Sequence, residues 1–218
     1  MSDDLGEGIS DEDLLRDVTA DLAQGRAARS RGLELLVHRH GAALRKLAAS
    51  ILGDDVLADD VVQETWLAAL RSAGGFEGRS SARTWLLSIC ANKARTHLKR
   101  ERLVVPFTTA WRDERQEVVD PSAFTPAGSW AVPVTSWDDD PFDAVRTGEF
   151  HDELARMVGG LPPRQRQVVV ARDVLGCTAM EVTELLGLTA ANQRVLLHHA
   201  RATLRTALIA QGEGRTRT

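Results

Sequence analysis

Cysteine is scarce in this chain, and the histidines form no metal-binding motif. Cys90 and Cys177 are the only cysteines, too few for a disulfide framework, and both lie within apolar patterns typical of helices. We interpret them as small buried hydrophobes. The six histidines include no HxxxH pair, and CxxC is absent as well. The sequence therefore predicts neither a metal site nor a cofactor.

Long apolar stretches are absent too. No run of about eighteen apolar residues occurs, so the sequence predicts no membrane insertion. The N-terminus begins with Ser2, Asp3 and Asp4 and lacks the basic and then apolar segments of a signal peptide. We therefore expect a cytoplasmic protein. Its 218 residues fit one large domain or two small ones, and a hydrophobic content of 43% is enough for ordinary cores.

Motifs of catalysis are the third absence. The chain has no glycine-rich phosphate loop, no nucleophile elbow and no paired catalytic carboxylates, so no catalytic residue is assigned and an enzyme is not expected. The net charge is −4, whereas a free-standing DNA-binding domain is usually basic. If this chain contacts DNA, another protein has to present the DNA to it.

The N-terminal half shows helical periodicity of its apolar residues. Gly53 is suited to end one helix in a left-handed conformation, and Asp54 is suited to cap the next. Ser80 or Ser81 caps a further helix after a glycine-containing loop. Four helices are predicted, over residues 11–22, 32–52, 54–71 and 81–102.

Residues 105–148 lose this periodicity. Prolines are frequent there and acidic residues outnumber basic ones, which indicates a linker. The segment also contains Trp111, Trp130 and Trp137, which are unusual in a solvated tether and suggest that it docks somewhere.

Helical patterns resume near Phe150. Pro162 and Pro163 suit the start of a helix that runs to Leu175. Thr178-Ala-Met-Glu181 is a capping box that opens a short helix ending at Gly187, and Thr189 caps a final helix to about Leu208. A short helix, a turn and a second helix form the helix-turn-helix pattern.

The final helix is the best candidate for reading DNA. Its period places Leu196, Leu197, Ala200 and Leu204 inward and the opposite residues outward. Arginine can pair with guanine, and the valine side chain can touch a thymine methyl, while the late arginines could hold phosphates instead. A solvated basic face is the alternative. The candidate DNA contacts are Thr189, Asn192, Arg194, Val195, His198, Arg201 and Arg205.

Two further surfaces are candidates for binding. The helix over 81–102 is basic and carries a stripe with Ser88, Asn92, Arg95 and Lys99. Trp85 could stack on a base, although a core tryptophan is the more frequent role of such a residue. On the preceding helix, one face is either simply solvated or binds a protein; it comprises Asp60, Gln63, Glu64 and Leu67.

Several segments together resemble the extracytoplasmic-function sigma factors, the compact group of the sigma-70 family. GDDVLADDVVQETW (53–66) looks like the polymerase-binding helix, and FEGRSSARTWL (76–86) with ICAN (89–92) looks like the promoter-melting segment. LPPRQRQV (161–168) and RDVLG (172–176) resemble the start of the second domain, and LHHAR (197–201) resembles the end of its recognition helix.

The resemblance implies an all-α protein with two small domains, residues 11–104 and 149–210, joined by the acidic linker 105–148. It implies a non-enzymatic, dissociable sigma factor that binds promoter DNA and core RNA polymerase, through the largest-subunit coiled coil and the flap. An anti-sigma factor is a further candidate partner. The face containing Asp60, Gln63, Glu64 and Leu67 would bind the coiled coil, and the linker would pass through the polymerase cleft.

The resemblance also divides the DNA contacts between two promoter elements. The residues assigned to the minus-ten element are Phe76, Arg79, Ser80, Ser81, Asn92, Arg95 and Lys99. The final helix would read the minus-thirty-five element. There the sequence departs from the family, because Gln193 replaces an inward apolar residue and Val195 and Leu196 replace a serine and a basic residue. The contacts assigned to that helix therefore rest on helix geometry.

Two other functions remain open from the residues alone. One is a stand-alone helix-turn-helix regulator whose N-terminal half dimerises or binds a ligand. The other is a protein-interaction module that sequesters partners. The exposed acidic face followed by a basic helix favours the sigma factor over the regulator, and the basic faces argue against the interaction module.

Overall fold

A computed structural model describes residues 8–26, 30–104 and 148–215, with side chains described at 8–26, 30–100 and 153–209. Regular structure within these ranges is entirely helical, which confirms the predicted class. The α-helices are α1 Asp11–Ala23, α2 Arg31–Leu52, α3 Asp55–Ser72, α4 Ala82–Val104, α5 Gly148–Gly159, α6 Pro163–Val169, α7 Ala179–Leu186 and α8 Ala190–Arg215. The predicted linker lies outside the described residues except for Gly148, which begins α5.

The helix boundaries of the N-terminal half follow local capping chemistry. Gly53 ends α2 with φ of 73°, and the carboxylate of Asp54 accepts hydrogen bonds from the backbone N–H groups of Val56 and Leu57. Of the two serines considered for α4, Ser81 is the cap, because its hydroxyl accepts the N–H of Thr84 at 3.1 Å. These caps confirm the predicted starts of α3 and α4.

Helices α2, α3 and α4 pack against one another around an apolar core. Buried side chains from all three helices meet there: Leu44, Leu47, Val61, Leu86 and Ala94. Helix α1 packs beside this core in a smaller cluster of its own, formed by Leu14, Leu15, Val18, Leu36 and Ala82. The apolar period that predicted α1 is therefore the stripe with which it docks on α2 and α4.

The C-terminal helices form the predicted helix-turn-helix. Both hydrogen bonds of the capping box between Thr178 and Glu181 are present, and Gly187 ends α7 with φ of 64°. The hydroxyl of Thr189 accepts the N–H of Asn192 at 3.2 Å at the start of α8. Helix α8 continues to Arg215, beyond the predicted end near Leu208.

One predicted helix is interrupted in the structure. A continuous helix from Pro163 to Leu175 was expected, but α6 ends at Val169 and a π-helical turn, Val170–Val174, follows. The N–H of Leu175 bonds to the carbonyl of Val170 at 2.9 Å, which closes this wider turn. The π turn is followed by Gly176, which has a positive φ, and α7 begins three residues later at Ala179.

The N-terminal and C-terminal helices share one continuous apolar core, and polar contacts cross between them. Arg166 donates from Nε to the Ser50 carbonyl at 3.1 Å, near the end of α2. Arg83 on α4 donates to the Leu175 carbonyl, and Arg95 donates from Nη1 to the Leu185 carbonyl at 2.7 Å. Helix α4 therefore faces α7 and the turn that precedes it. None of the helices described is long and apolar enough to cross a membrane.

Candidate polymerase and nucleic-acid interfaces

The face of α3 predicted to bind a protein is mostly open. Asp60, Gln63 and Leu67 are exposed, and Leu67 keeps 52% of its surface accessible. Glu64 differs because it is half-buried against α4. Its carboxylate contacts His97 Nε2 at 3.0 Å and Lys93 Nζ at 3.4 Å. The hydrogen bond from His97, and then the one from Lys93, lower the pKa of Glu64.

The loop before α4 combines a packed start with an exposed turn. Phe76 is half-buried, and its ring lies 5.3 Å from the ring of Trp85 at an interplanar angle of 57°. Both rings pack against the α1 cluster. Of the two roles considered for Trp85, stacking on a base and packing in the core, the structure therefore shows core packing. Arg79, Ser80 and Ser81 are exposed, and Arg79 pairs with Glu77 at 3.4 Å.

The predicted basic stripe of α4 exists, but part of it is engaged by the C-terminal helices. Arg95 donates from Nη2 to Asn92 Oδ1 at 2.6 Å while its Nη1 bonds to the Leu185 carbonyl. Burial, and then the charge of Arg164, lower the pKa of Arg95. Lys99 is exposed. Any nucleic acid that takes up the Arg95 guanidinium has to replace its bond to α7.

Helix α8 presents most of the predicted residues on its surface. Thr189, Asn192, Arg194, His198 and Arg205 are exposed. Arg201 is half-buried and forms a two-pronged pair with Asp173, from Nε at 3.0 Å and from Nη2 at 2.6 Å. This pair ties α8 to the π turn, so phosphate binding by Arg201 competes with a contact already made.

Val195 corrects the predicted face of α8. It was placed outward to touch a thymine methyl, yet only 3% of it is exposed, so the assignment to the outer face is wrong. Helix α8 contacts α5, α6 and α7, and its buried arc is therefore wider than the single stripe that the helical period predicted. Gln193 is buried at 2% exposure and lies on the inward side, where the resemblance to the family placed it.

Sequence reasoning missed the residues that join α4 to α7. Thr84 donates from its hydroxyl to Glu181 Oε1 at 2.5 Å, while Glu181 Oε2 accepts the N–H of Thr178 at 2.7 Å. One carboxylate therefore caps α7 and binds α4. The capping-box motif in the sequence predicted the bond of Glu181 to Thr178, but not its bond to Thr84 on α4.

Neither cysteine is part of a candidate site. Both are buried, as predicted, and burial raises the pKa of Cys90 to about 11 and also raises the pKa of Cys177. The thiol, not the reactive thiolate, therefore dominates near neutral pH. Within residues 8–26, 30–104 and 148–215, no group of three or more His, Cys, Asp or Glu side chains could hold a metal ion.

Comparison with known proteins identifies both halves of the chain. The family model for sigma-70 region 2 matches residues 36–104, and the model for sigma-70 region 4 matches residues 151–204. The RNA polymerase sigma factor CnrH of Cupriavidus metallidurans is 31% identical over 194 residues, which cover 88% of this chain and 94% of CnrH.

The ECF RNA polymerase sigma factor SigG of Mycobacterium tuberculosis is 35% identical over 156 residues. That match covers 68% of this chain but only 41% of SigG, so the chain spans less than half the length of this relative. Among solved structures, CnrH in complex with the cytosolic domain of CnrY matches with a TM-score of 0.52 and 25% identity, over 91% of this chain and 99% of that one.

The two region matches occur in the order of the helices described above, and they fall on the N-terminal helices and on the helix-turn-helix. The match to CnrH extends over nearly the whole of that relative. The chain therefore belongs to the extracytoplasmic-function group of the sigma-70 family, the RNA polymerase sigma factors, which are non-catalytic.

Proposed function

We propose that this chain is a dissociable sigma factor that binds core RNA polymerase and directs initiation at promoters with minus-ten and minus-thirty-five elements. The observation that carries the proposal is the pairing of a region 2 match with a region 4 match, each on a helical unit with an exposed surface of the required kind. Residues 11–104 form the first functional domain, and residues 149–210 form the second.

The α3 face is assigned to the coiled coil of the polymerase's largest subunit. Asp60, Gln63 and Leu67 stand open on one side of α3, within the segment 36–104 that matches sigma-70 region 2, so a partner can reach them. Glu64 contributes differently, since its bonds to Lys93 and His97 fix α3 against α4. The flap of the polymerase is the partner assigned to the C-terminal domain.

Promoter recognition is divided between the two domains. The exposed turn at Arg79, Ser80 and Ser81 and the exposed end of α4 at Lys99 are assigned to the melted minus-ten strand. Arg194 on the outer side of α8 is assigned to base edges of the minus-thirty-five duplex, because arginine pairs bidentately with guanine in the major groove. Arg205, which is exposed later on the same helix, is assigned to positioning on a phosphate.

An anti-sigma factor is the expected regulatory partner. The relative CnrH has been solved with the cytosolic domain of CnrY bound to it. That similarity supports an intracellular protein partner for this chain, without giving its identity.

Reconstitution tests the proposal directly. The purified chain is mixed with core polymerase, and co-elution and promoter-specific initiation are measured. We expect both, together with poor binding of promoter duplex by the chain alone, because a net charge of −4 opposes approach to phosphates. A tight, sequence-specific complex with duplex at physiological salt, without any binding to core polymerase, would instead indicate the stand-alone regulator.

A further inference from the structure

Helix α1 lies next to the loop assigned to the minus-ten element, although it precedes the segment that matches sigma-70 region 2, residues 36–104. The carboxylate of Glu12 accepts the backbone N–H of Ala82 at 3.1 Å, across 70 positions of sequence. Ala82 is the first residue of α4 and is fully buried. A side chain from α1 thus satisfies an N–H group at the start of α4 that the helix itself cannot pair.

The packing of α1 reaches both ends of the same loop. Beyond its far end, Ala82 and Trp85 of α4 belong to or pack against the apolar cluster that contains Leu14, Leu15 and Val18 of α1, and Phe76 at its start packs against the same cluster. At the near end, α1 contacts the turn Ala73–Gly75, where a Cβ atom on Gly74 would lie 3.8 Å from Thr19 Cγ2. The segment between residues 75 and 82 is therefore held at its start and at its finish by one helix.

Helix α1 is itself fixed to α2. Asp11 contacts Arg39 Nη1 at 2.6 Å and His40 Nε2 at 2.7 Å, and His40 is buried. The two helices also cross closely at Gly32, where a Cβ atom would lie only 2.8 Å from the Leu14 carbonyl oxygen. Helix α1 is consequently held by contacts with α2 that do not involve Glu12.

We propose that α1 stabilises the conformation of the loop 76–81, which is assigned to the minus-ten element, and that Glu12 is the positioning residue. The inference rests on the proposed function, since it assigns Glu12 a part in promoter selectivity. Glu12 does not touch DNA in this scheme. Glu12 fixes the N-terminus of α4. The exposed turn at Arg79 and Ser80, which leads into α4, is thereby kept in the orientation in which it can bind a base flipped out of the melted strand.

The test compares base discrimination at each promoter element. Glu12→Ala, Glu12→Gln and, as a control, Asp17→Asn are assayed with core polymerase on promoters substituted in either element. Asp17 is exposed on the same helix, so its variant removes a charge without reaching α4. For Glu12→Ala we expect discrimination at the minus-ten element to fall roughly tenfold, equivalent to about 1.4 kcal/mol, with discrimination at the distal element unchanged. Glu12→Gln keeps an acceptor oxygen and should restore most of the loss.

A purely structural defect would lower the use of all promoters by one factor and leave their ranking intact. Gly32→Ala gives a second route, because it displaces the α1 backbone without changing Glu12, and it should reproduce the minus-ten defect. Unchanged minus-ten discrimination in Glu12→Ala, or an equal loss in Asp17→Asn, would overturn the proposal. The proposed function fails separately, if the wild-type chain neither binds core polymerase nor discriminates between promoters.

Discussion

Helices α4 and α8 carry the two sets of candidate DNA contacts, yet they present them differently. On α4, Arg95 is bonded to Asn92 and to the Leu185 carbonyl, so its guanidinium is used within the chain. On α8, Arg194 projects from the surface of the helix. The same residue type therefore supports packing between domains in one region and a candidate base contact in the other.

The difference shows that chemistry suited to DNA does not by itself indicate an available surface. Both arginines lie on stripes that helical periodicity separates from the apolar side, but the stripe of α4 also faces α7, to which Arg95 is bonded. An arginine presents N–H donors in a planar fork, which can bond to backbone carbonyls at helix ends as well as to phosphates or guanines. Whether an arginine is accessible to DNA can therefore be judged only from the tertiary structure.

The largest expected effect concerns the α3 face of the N-terminal domain. Asp60→Ala with Gln63→Ala should weaken binding to core polymerase by roughly thirtyfold, the effect of losing about 2 kcal/mol at an interface hot spot. Helicity and melting should stay nearly constant, because surface substitutions usually change stability by within about 0.5 kcal/mol. Asp55→Ala, on the same helix but paired with Arg45, is the matched control in a pull-down assay. Equal affinity of the double variant and the wild type would remove the assignment.

The next prediction sharpens the distinction between two positions of α8. Arg194→Ala should cost about 1–3 kcal/mol at a particular distal base pair and relax preference there. Arg205→Ala should weaken all promoters alike and lower the salt slope of binding by about one unit. Transcription from promoters varied in the distal element measures both. If the two variants scale every promoter by the same factor, α8 does not read bases through Arg194.

Val195 provides a smaller test of which surface of α8 is buried. Val195→Ala should destabilise the chain by about 1–3 kcal/mol, since it removes buried methyl groups and leaves a cavity. His198→Ala, an exposed position on the same helix, should change stability by within about 0.5 kcal/mol. Urea unfolding of the two variants gives the comparison. If the Val195→Ala variant is as stable as the wild type, Val195 is not buried and belongs to the outer face of α8 after all.

Local signals in the sequence predicted much of this fold. Gly53, Asp54 and the Thr178 capping box act through bonds to residues at most four positions away, and each ends or begins a helix where expected. The polar face of α3 and the helix-turn-helix follow from periodicity and turns in the same way.

Contacts between distant segments were not predictable from these signals. The bond from Ala82 to Glu12 and the bond from Thr84 to Glu181 join residues far apart in the chain, and nothing in their neighbours marks them. Val195 was misassigned for the same reason, because its burial depends on how several helices surround α8. The π turn at Val170–Val174 carries no glycine or proline that would have indicated it.

The smallest expected effect is a pH dependence that separates Glu64 from the other residues of the α3 face. Hydrogen bonds from His97 and Lys93 lower the folded-state pKa of Glu64 below its ordinary value of 4.5. The unfolded chain then binds more protons than the folded chain between these two pKa values, so stability rises with pH across that interval. The contribution of Glu64 is present in full above pH 4.5 and is lost as the pH falls through the lowered folded value. Glu64→Gln should therefore flatten the acid limb of a plot of unfolding free energy against pH, whereas Gln63→Ala, next to it on the exposed face, should leave that limb unchanged. An acid limb of wild-type steepness in Glu64→Gln would show that the contacts of Glu64 with α4 do not favour its charged form, and Glu64 would then belong with the open part of the polymerase-binding face.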